Sequence, residues 1–370
     1  MIVVDGVALQ PNLETPPSIT SFWCNVIGEW VRLGYTRDFI VLVRESQRIG
    51  FPGDTVVALI PDYSYENAES DHIGLQSVCD QVNASIFIST LYTYPLKTSS
   101  VAMVYSMDEV QEFLPSLAAQ EKHNTILAAS AFICPSKWVS SDLMRKYPGI
   151  SSEDIEVIYP GLHSDLMPSP PLKVRKFREE KDLTRPYIIF RAGTGERRKI
   201  ALFALLDSVS ELVSGQVPEL VYLSVDGSKV DVPLESVMDL SKPIRSRIHN
   251  LRLCSDDLPL LYTGAVGLFE IEPELGMGNY TFEAMRCGCP VIILRESEDH
   301  QLRQPTETDP WIEISMQPHV ISQTIDQLRD TRYRNTILSR GLDYTKSMTW
   351  EQAAKRMWSF LKSKAKSLRS

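Results

Sequence analysis

The chain has 370 residues, and its 47 Asp and Glu residues outnumber its 38 Lys and Arg residues, which gives a net charge of −9. A chain of this length rarely folds around a single hydrophobic core, so the length predicts two domains. Apolar residues make up 43% of the sequence and charged residues 23%, as is typical of soluble globular proteins. An acidic chain without a long basic block is unsuited to a broad nucleic-acid surface, so we expect no nucleic-acid partner.

The first residues and the cysteines indicate the compartment. The segment MIVVDGVALQP lacks the basic start and the long apolar stretch of a signal peptide, and no apolar run approaches the roughly 20 residues of a membrane-spanning helix. None of the six cysteines forms a CxxC motif, so we expect a reducing, cytoplasmic location. We interpret Cys287 and Cys289 as small residues around a tight turn at Gly288 rather than as metal ligands, and we expect no metal site.

In the first half of the chain, short β-branched runs alternate with helical periods. The predicted elements are strand Ile2–Val4, a helix with an apolar face from Ile19 to Val31, strands Phe39–Val43 and Val56–Ile60, helix Leu75–Val82, strands Ser85–Ser89 and Val101–Tyr105, helix Glu121–Ala131, strand Phe132–Cys134, helix Trp138–Tyr147 and strand Glu156–Tyr159. Continuous apolar runs of this kind are typical of parallel strands that are covered on both faces.

The second half shows the same alternation. The predicted elements are strand Tyr187–Arg191, a helix with an apolar face from Leu202 to Val213, strand Leu220–Val225, helix Asp257–Thr263, strand Val266–Ile271, helix Thr281–Cys287 and strand Val291–Leu294. Such alternation in both halves predicts two Rossmann-like, doubly wound parallel sheets in an α/β protein. Because doubly wound sheets bind ligands outside the carboxyl ends of their strands, we expect a ligand cleft between the two domains.

The domain boundary is predicted from a Pro-rich and then densely charged stretch, Met167–Lys181, which lacks a clean apolar period. We therefore predict an amino-terminal domain over residues 1–165, a linker over 166–184 and a carboxyl-terminal domain over 185–346.

One group of residues with binding chemistry follows the strand Tyr187–Arg191. The turn Gly193-Thr194-Gly195 precedes the cations Arg197, Arg198 and Lys199 at the start of a helix. Small residues let backbone N–H groups approach an anion at a helix start, and cations add charge-assisted contacts to phosphate. A solvated, charged turn explains the same residues equally well.

A second group lies near residue 280. Gly276 and Gly278 leave space for a ligand at a helix start, and Glu283 falls on the first or second turn of that helix. There the carboxylate can accept hydrogen bonds from a ribose diol. The alternative is that Glu283 only complements the helix dipole.

These segments resemble a known family. Leu261-Tyr-Thr-Gly-Ala265 and Phe282-Glu-Ala-Met-Arg-Cys-Gly-Cys-Pro-Val-Ile292 resemble, in register, the signature of retaining family 4 glycosyltransferases of the GT-B fold. Supporting segments are Cys134-Pro-Ser-Lys-Trp-Val-Ser-Ser-Asp-Leu143, Ile158-Tyr-Pro-Gly161 and Ser85-Ile-Phe-Ile-Ser-Thr-Leu-Tyr-Thr93, the last of which is similar to a bacterial branch of these enzymes. The resemblance extends, with gaps, over most of the chain.

The resemblance implies transfer of a sugar, with retention of anomeric configuration, from a nucleotide-sugar donor in the second domain to a glycan, lipid-linked or other acceptor held largely by the first. The nucleotide-sugar is a co-substrate, and no separate cofactor is implied. The donor-binding residues implied by the resemblance are Thr194, Gly195, Arg198, Lys199, Gly276, Met277, Gly278 and Glu283.

The implied catalytic residues are Glu274 and Asp108. The family's first motif glutamate aligns with Leu275, so Glu274 lies one position out of frame, and Asp108 follows the strand at which relatives place a polar side chain. Glu270, Glu272 and Glu274 also bring negative charge near the expected diphosphate, and we interpret this triplet as a solvated or Arg-paired acidic loop rather than as a metal site. These departures leave one alternative function open, that of a catalytically impaired binding or scaffold subunit with the same fold.

The last segment, residues 347–370, matches the family's closing helix at Trp350-Glu-Gln-Ala-Ala, which implies a helix that returns to the first domain. Its basic tail, Lys362–Arg369, is compatible with a weak contact to an anionic membrane at the inner face. A frayed, solvated helix end is the alternative.

Overall fold

The computed structural model describes residues 1–13, 15–47, 50, 51, 53, 55–107, 116–191, 196–211, 218–223, 248–251, 253–271, 280–295 and 309–367. Of residues 191, 196–199, 210, 211, 222, 223 and 250 it describes the backbone only. The described chain forms two compact units, the first within residues 1–161 and 348–367 and the second within 162–271 and 280–347.

The described strands form two sheets, and every strand pair in both sheets is parallel. The strands are β1 (Ile2–Asp5), β2 (Phe39–Arg44), β3 (Val57–Ile60), β4 (Ile86–Ser89), β5 (Ser100–Met103), β6 (Ala131–Cys134), β7 (Ile155–Val157), β8 (Tyr187–Arg191), β9 (Glu219–Leu223), β10 (Ile248–Asn250), β11 (Leu268–Glu270), β12 (Val291–Arg295) and β13 (Ile312–Ser315). The first unit has the strand order β3-β2-β1-β4-β5-β6-β7, and the second has β10-β9-β8-β11-β12-β13. Both orders reverse direction beside the first strand in the chain, which confirms the predicted doubly wound α/β class.

Helices flank each sheet. The described α-helices are α1 (Pro17–Arg32), α2 (Ala68–Gln81), α3 (Leu117–Ala128), α4 (Lys137–Lys146), α5 (Pro171–Glu180), α6 (Glu196–Glu211), α7 (Leu258–Gly264), α8 (Tyr280–Arg286), α9 (Pro318–Gln327), α10 (Thr331–Thr345) and α11 (Trp350–Ser367). The apolar period predicted from Ile19 to Val31 is the buried face of α1, which begins at Pro17, where the missing N–H is tolerated. The chain leaves α1 at Gly34, whose φ of 80° suits glycine.

Helices cover both faces of the first sheet. On one face α1 and α11 pack over alternate strand residues such as Val4 and Met103, and the indole of Trp30 in α1 donates a hydrogen bond to the Ala354 carbonyl of α11 at 2.9 Å. On the other face α2, α3 and α4 pack over the intervening strand residues. The carboxyl-terminal helix thus packs in the first unit, as the family resemblance implied.

The basic tail is helical as far as Ser367, and two of its lysines pair with acidic side chains. Lys362 lies 3.1 Å from Asp38, and Lys364 lies 2.8 Å from Asp154. Among the described residues, no helix is both long and apolar enough to cross a membrane. The weak contact of this tail with an anionic membrane stays a prediction.

The second sheet is covered in the same way. On one face α6 and α9 pack over Phe190, Phe269 and Ile292. On the other face the Tyr187 hydroxyl of β8 donates a hydrogen bond to the Leu261 carbonyl of α7 at 2.6 Å. Helices α5 and α8 pack against α7, and α10 packs against α8. The helices that follow β8 and β11 therefore lie on opposite faces of the sheet.

The segment interpreted as a linker contains a helix. α5 occupies most of the Pro-rich and charged stretch, packs against α7 and lies in the second unit. Its buried residues are Val174 and Phe177. Two buried positions among ten residues are too few to reveal a helical period, which explains why the sequence predicted no helix here.

Four further elements were not predicted. Strand β10 has three residues at one edge of its sheet, and β13, at the other edge, has four half-buried residues, so neither forms a continuous apolar run. Helices α9 and α10 are amphipathic and carry many polar residues. Strands and helices that expose one side to solvent give weak sequence signals, because only their buried side needs apolar residues.

The Tyr-Pro-Gly segment owes its glycine to close packing in the first unit. A Cβ atom on Gly161 would lie 2.6 Å from Cδ2 of Trp350 and nearer still to the Trp350 backbone. We expect Gly161→Ala to lower the free energy of unfolding by about 1–3 kcal/mol, since the inserted methyl group forces α11 to shift. Urea unfolding followed by tryptophan fluorescence measures this, because five of the six tryptophans lie in the first unit.

The matched control is Gly149→Ala. No atom lies within 4 Å of a Cβ at Gly149, so we expect its stability to stay at or slightly above that of the wild type. If the two variants were equally stable, the packing against Trp350 would not be the reason for a glycine at position 161.

Candidate functional site in the second unit

The second sheet reverses its strand order beside β8. Strand β9 lies on one side of β8 and β11 on the other, with Leu268 opposite Ile189 and Phe269 opposite Phe190. In this register Arg191 and Glu270, the last residues of β8 and β11, lie side by side at the carboxyl edge of the sheet. A doubly wound sheet opens a crevice at such a switch point, and ligands bind there.

Helix α6 starts on one side of this crevice. It begins at Glu196, soon after β8 ends, and Arg198 and Lys199 are its third and fourth residues. Leu202 and Leu205 are buried in the core below and hold the helix on the sheet. The backbone thus places both predicted cations on the first turn of a helix whose N-terminus faces the carboxyl edge, where backbone N–H groups and the helix dipole favour anions.

Helix α8 starts on the other side of the crevice. Glu283 lies on its first turn and is half-buried, and the Oε2 atom of its carboxylate is buried. Thr281, Ala284 and Met285 are the buried residues that hold this helix. The helix predicted over Thr281–Cys287 is thereby confirmed within one residue.

The turn after α8 explains the CxC pair. Gly288 has a φ of 71°, and the backbone N–H of Cys289 donates to the Ala284 carbonyl at 2.9 Å. Both thiols are buried, and burial raises the pKa of Cys287 and of Cys289 to about 12, so neither is a thiolate at neutral pH. These residues are small buried side chains around a turn, as predicted.

Topology therefore brings the starts of α6 and α8 to the same edge of the sheet. The two helices follow neighbouring strands and lie on opposite faces, so Lys199 and Glu283 flank one crevice. The roles of Lys199 and Glu283 in binding a diphosphate and a ribose stay predictions.

Glu270 is the last residue of β11, within the strand predicted over Val266–Ile271. Its side chain is only 2% exposed, so it is not part of a solvated loop. Its Oε1 accepts a hydrogen bond from the backbone N–H of Ile271 at 3.3 Å. On the neighbouring strand the buried Arg295 lies 3.7 Å from Glu313, so one cation accompanies the carboxylates at this edge.

Several predicted site residues lie outside the described residues and remain predictions. These are Asp108, Thr194, Gly195, Glu274, Gly276, Met277 and Gly278. Glu272 and Leu275 also lie outside them.

No protein-family model matches the chain, and no curated protein matches it either. Solved structures do match it. HepE from Anabaena, in complex with UDP-glucose, has a TM-score of 0.66 and 13% sequence identity, and the match covers 98% of this chain and 99% of HepE. Sucrose-phosphate synthase from Thermosynechococcus elongatus has a TM-score of 0.66 and 14% identity, with 98% of each chain covered. For WaaG, a glycosyltransferase of lipopolysaccharide biosynthesis, the TM-score is 0.65 and the identity 10%, over 98% of this chain and 99% of WaaG.

The chain has the GT-B fold. The GT-B fold is the one implied by the motifs near Leu261 and Glu283, which confirms that part of the resemblance. Identities of 10–14% over nearly whole chains mean that the fold is shared while most side chains differ.

The first unit of this GT-B fold holds a charged network that the sequence analysis missed. Asp5 ends β1 and Arg44 ends β2, both fully buried, and Arg44 Nη2 lies 2.5 Å from Asp5 Oδ2. Arg44 Nη1 also pairs with Asp71 of α2, and the Thr93 hydroxyl donates to Asp5 at 2.6 Å. A charged residue directly after an apolar strand was the available signal, because such a position lies at the carboxyl edge of a parallel sheet.

Proposed function

We propose that the chain transfers a glycosyl group from a nucleotide-sugar donor to a glycan, lipid-linked or other acceptor, with retention of anomeric configuration. The observation that carries this proposal is the placement of Lys199 and Glu283 on the two helices that flank the β8–β11 crevice. The GT-B fold adds support, because HepE shares that fold and has been solved with UDP-glucose.

In this proposal the crevice binds the donor. Lys199 and Arg198, with the backbone N–H groups of the first turn of α6, bind the diphosphate and stabilise the negative charge that develops as it departs. Glu283 accepts hydrogen bonds from the ribose hydroxyls, which fixes the nucleoside on the α8 side. Thr194, Gly195, Gly276, Met277 and Gly278 complete the donor site as the resemblance implies.

The catalytic step requires stabilisation of the diphosphate and of the cationic sugar rather than a protein nucleophile. We assign Glu274 and Asp108 to the neighbourhood of the reacting sugar, as the family resemblance implies. The first unit supplies the acceptor side, and a cytoplasmic location is part of the proposal.

The experiment is a panel of nucleotide-sugars with uridine, guanosine or adenosine diphosphate, followed by the release of free diphosphate. We expect one donor to release diphosphate, and calorimetry to show binding of the matching free diphosphate. The anomeric configuration of the first product, measured by NMR, tests retention separately.

The same experiment separates an enzyme from a binding or scaffold subunit. Binding of one diphosphate without any release from its sugar would support the impaired subunit. An absence of binding with all three diphosphates would contradict a donor site at the β8–β11 crevice.

A further inference from the structure

Strand β3 has the sequence of a covered strand but lies at the edge of the first sheet. The run Val56–Ile60 is continuous, apolar and uncharged, which is typical of parallel strands that are covered on both faces. Ala58 packs under α2, but Val57 and Leu59, on the other face, are 52% and 69% exposed. The open side of β3 is therefore an apolar surface that faces solvent.

The other described edge strands each carry a titratable side chain. Strand β7 contains Glu156, β10 contains His249 and β13 contains Glu313. A charged side chain on an edge strand keeps that edge from pairing with a strand of another chain. The sequence of β3, Val57-Ala58-Leu59-Ile60, includes no such side chain, so this edge lacks the protection that the other three have.

The backbone of β3 presents hydrogen-bonding groups to its open side. The N–H groups of β2 and of the residue after it donate to the carbonyls of Val56 and Ile60, at 3.0 and 3.1 Å. These two residues, and Ala58 between them, therefore face β2. Because successive residues of a strand face alternate neighbours, Val57 and Leu59 direct their N–H and C=O groups to the open side, where a further strand can bind them.

These groups match a second copy of the same strand. A two-fold axis through Ala58, perpendicular to the sheet, would place Val57 of each copy opposite Leu59 of the other in an antiparallel pair. Residues that face each other in this way exchange both of their N–H···O bonds, so both open residues of each copy are satisfied. Their side chains would lie on one face of the joined sheet and cover one another with apolar surface.

The flank of α2 beside this edge is also suited to a second copy. The Gln76 amide accepts hydrogen bonds from the backbone that leads into β5, so this side of α2 points away from β3. The exposed residues on the opposite side, none of them charged, are Ser70, Gly74 and Gln81. A Cβ at Gly74 would have no atom within 4 Å. An uncharged flank is where a chain of net charge −9 can approach its own copy with little repulsion.

We propose that β3 pairs with β3 of a second copy, antiparallel across a two-fold axis, so that the sheets of two first units join into one continuous sheet. A second copy fits better than an extended segment of another protein, because the apolar residues, the backbone groups and the uncharged flank are all self-complementary. Stable interfaces bury at least about 1,200 Å² in total, and a strand of this length contributes only part of that area, so the dimer is reversible. The proposal is independent of the proposed function.

The test is sedimentation of the full chain from about 1 μM to about 100 μM. The wild type should change from monomer to dimer over this range. Leu59→Lys places an ammonium group at the pairing edge and should raise the dissociation constant of the dimer at least roughly tenfold. A wild type that stays monomeric throughout, or a Leu59→Lys variant that dimerises as well as the wild type, would overturn the proposal.

The matched control is Leu172→Lys. Leu172 is 82% exposed and lies on α5 in the second unit, so this variant adds the same charge away from β3 and should dimerise like the wild type. Loss of the dimer in both variants would show that net charge, rather than the β3 edge, controls association, which also contradicts the proposal.

Cross-linking tests the register and does not depend on Leu59→Lys. Position 58 of one copy lies opposite position 58 of the other in a non-hydrogen-bonded pair, with Cα atoms about 4.5 Å apart, which a disulfide can span. The two copies of position 57 are diagonal neighbours about 7–8 Å apart, which is too far. With oxidised glutathione, Ala58→Cys should therefore form a covalent dimer and Val57→Cys should not.

Both cysteine variants also carry Cys254→Ser, which removes an exposed native thiol, and the chain with Cys254→Ser alone gives the background. The products are compared on non-reducing gels. Equal cross-linking of Ala58→Cys and Val57→Cys, or the absence of any covalent dimer above the background, would contradict an antiparallel pair centred on Ala58.

Discussion

Replacing Lys199 by alanine is expected to lower the rate of diphosphate release from the donor at least roughly tenfold, since removal of one preorganised charge-stabilising group from a site of this kind costs that much or more. Lys199 is on the first turn of α6, beside the crevice between β8 and β11. Its ammonium group would interact more strongly with the departing diphosphate than with the intact donor, so kcat should fall more than KM rises. Steady-state kinetics with the donor found in the nucleotide-sugar panel measures both constants.

Two variants make this result specific. Lys199→Arg keeps the positive charge and should retain more activity than Lys199→Ala, although the guanidinium has a different shape. Lys355→Ala removes an exposed lysine of α11 that pairs with Glu351 in the first unit, and its kinetics should match those of the wild type. Unchanged kinetics in Lys199→Ala would remove this residue from the site and with it the reason for placing the diphosphate at α6.

The regular parts of the fold were predictable from the chain alone. The apolar run Phe39–Val43 became β2 with one added residue, and Val291–Leu294 became β12 with one added residue. Buried parallel strands are apolar on both faces, so their sequence signal does not depend on which strands are neighbours. Short edge strands and the helix α5 lacked that signal because only a few of their side chains are buried.

The sites depend on pairings that a linear sequence does not display. Lys199 and Glu283 could be assigned to one site in advance only because the family resemblance includes both residues. Arg44 and Asp5 are 39 positions apart, and only the pairing of β1 with β2 makes them neighbours. The burial of Glu270 was likewise unpredictable, since its surrounding sequence of alternating glutamates is typical of a solvated loop.

The largest effect on stability is expected at Arg44. Arg44→Met should lower the free energy of unfolding of the first unit by about 3–5 kcal/mol, because it leaves Asp5 and Asp71 buried without their cation. Burial lowers the pKa of Arg44, but the negative charges of Asp5 and Asp71 raise this pKa by more. The native guanidinium is therefore charged at any accessible pH. Arg32→Met is the control, since Arg32 is exposed, and removal of its pairs with Glu29 and Glu351 should change stability little.

The pH dependence of the Arg44→Met deficit identifies its cause. Burial already raises the pKa of Asp71 against the hydrogen bond from Arg44, and loss of that cation should raise the folded-state pKa of Asp71 further. A carboxyl group whose pKa is higher in the folded than in the unfolded state binds more protons when folded, so the deficit should shrink as the pH falls from about 7 to about 5. Adding Asp5→Asn and Asp71→Asn to Arg44→Met should recover part of the loss at neutral pH, because no buried charge then remains. A deficit that is independent of pH, and is not relieved by these two substitutions, would indicate that Arg44 acts through packing against Tyr63 rather than through its charge.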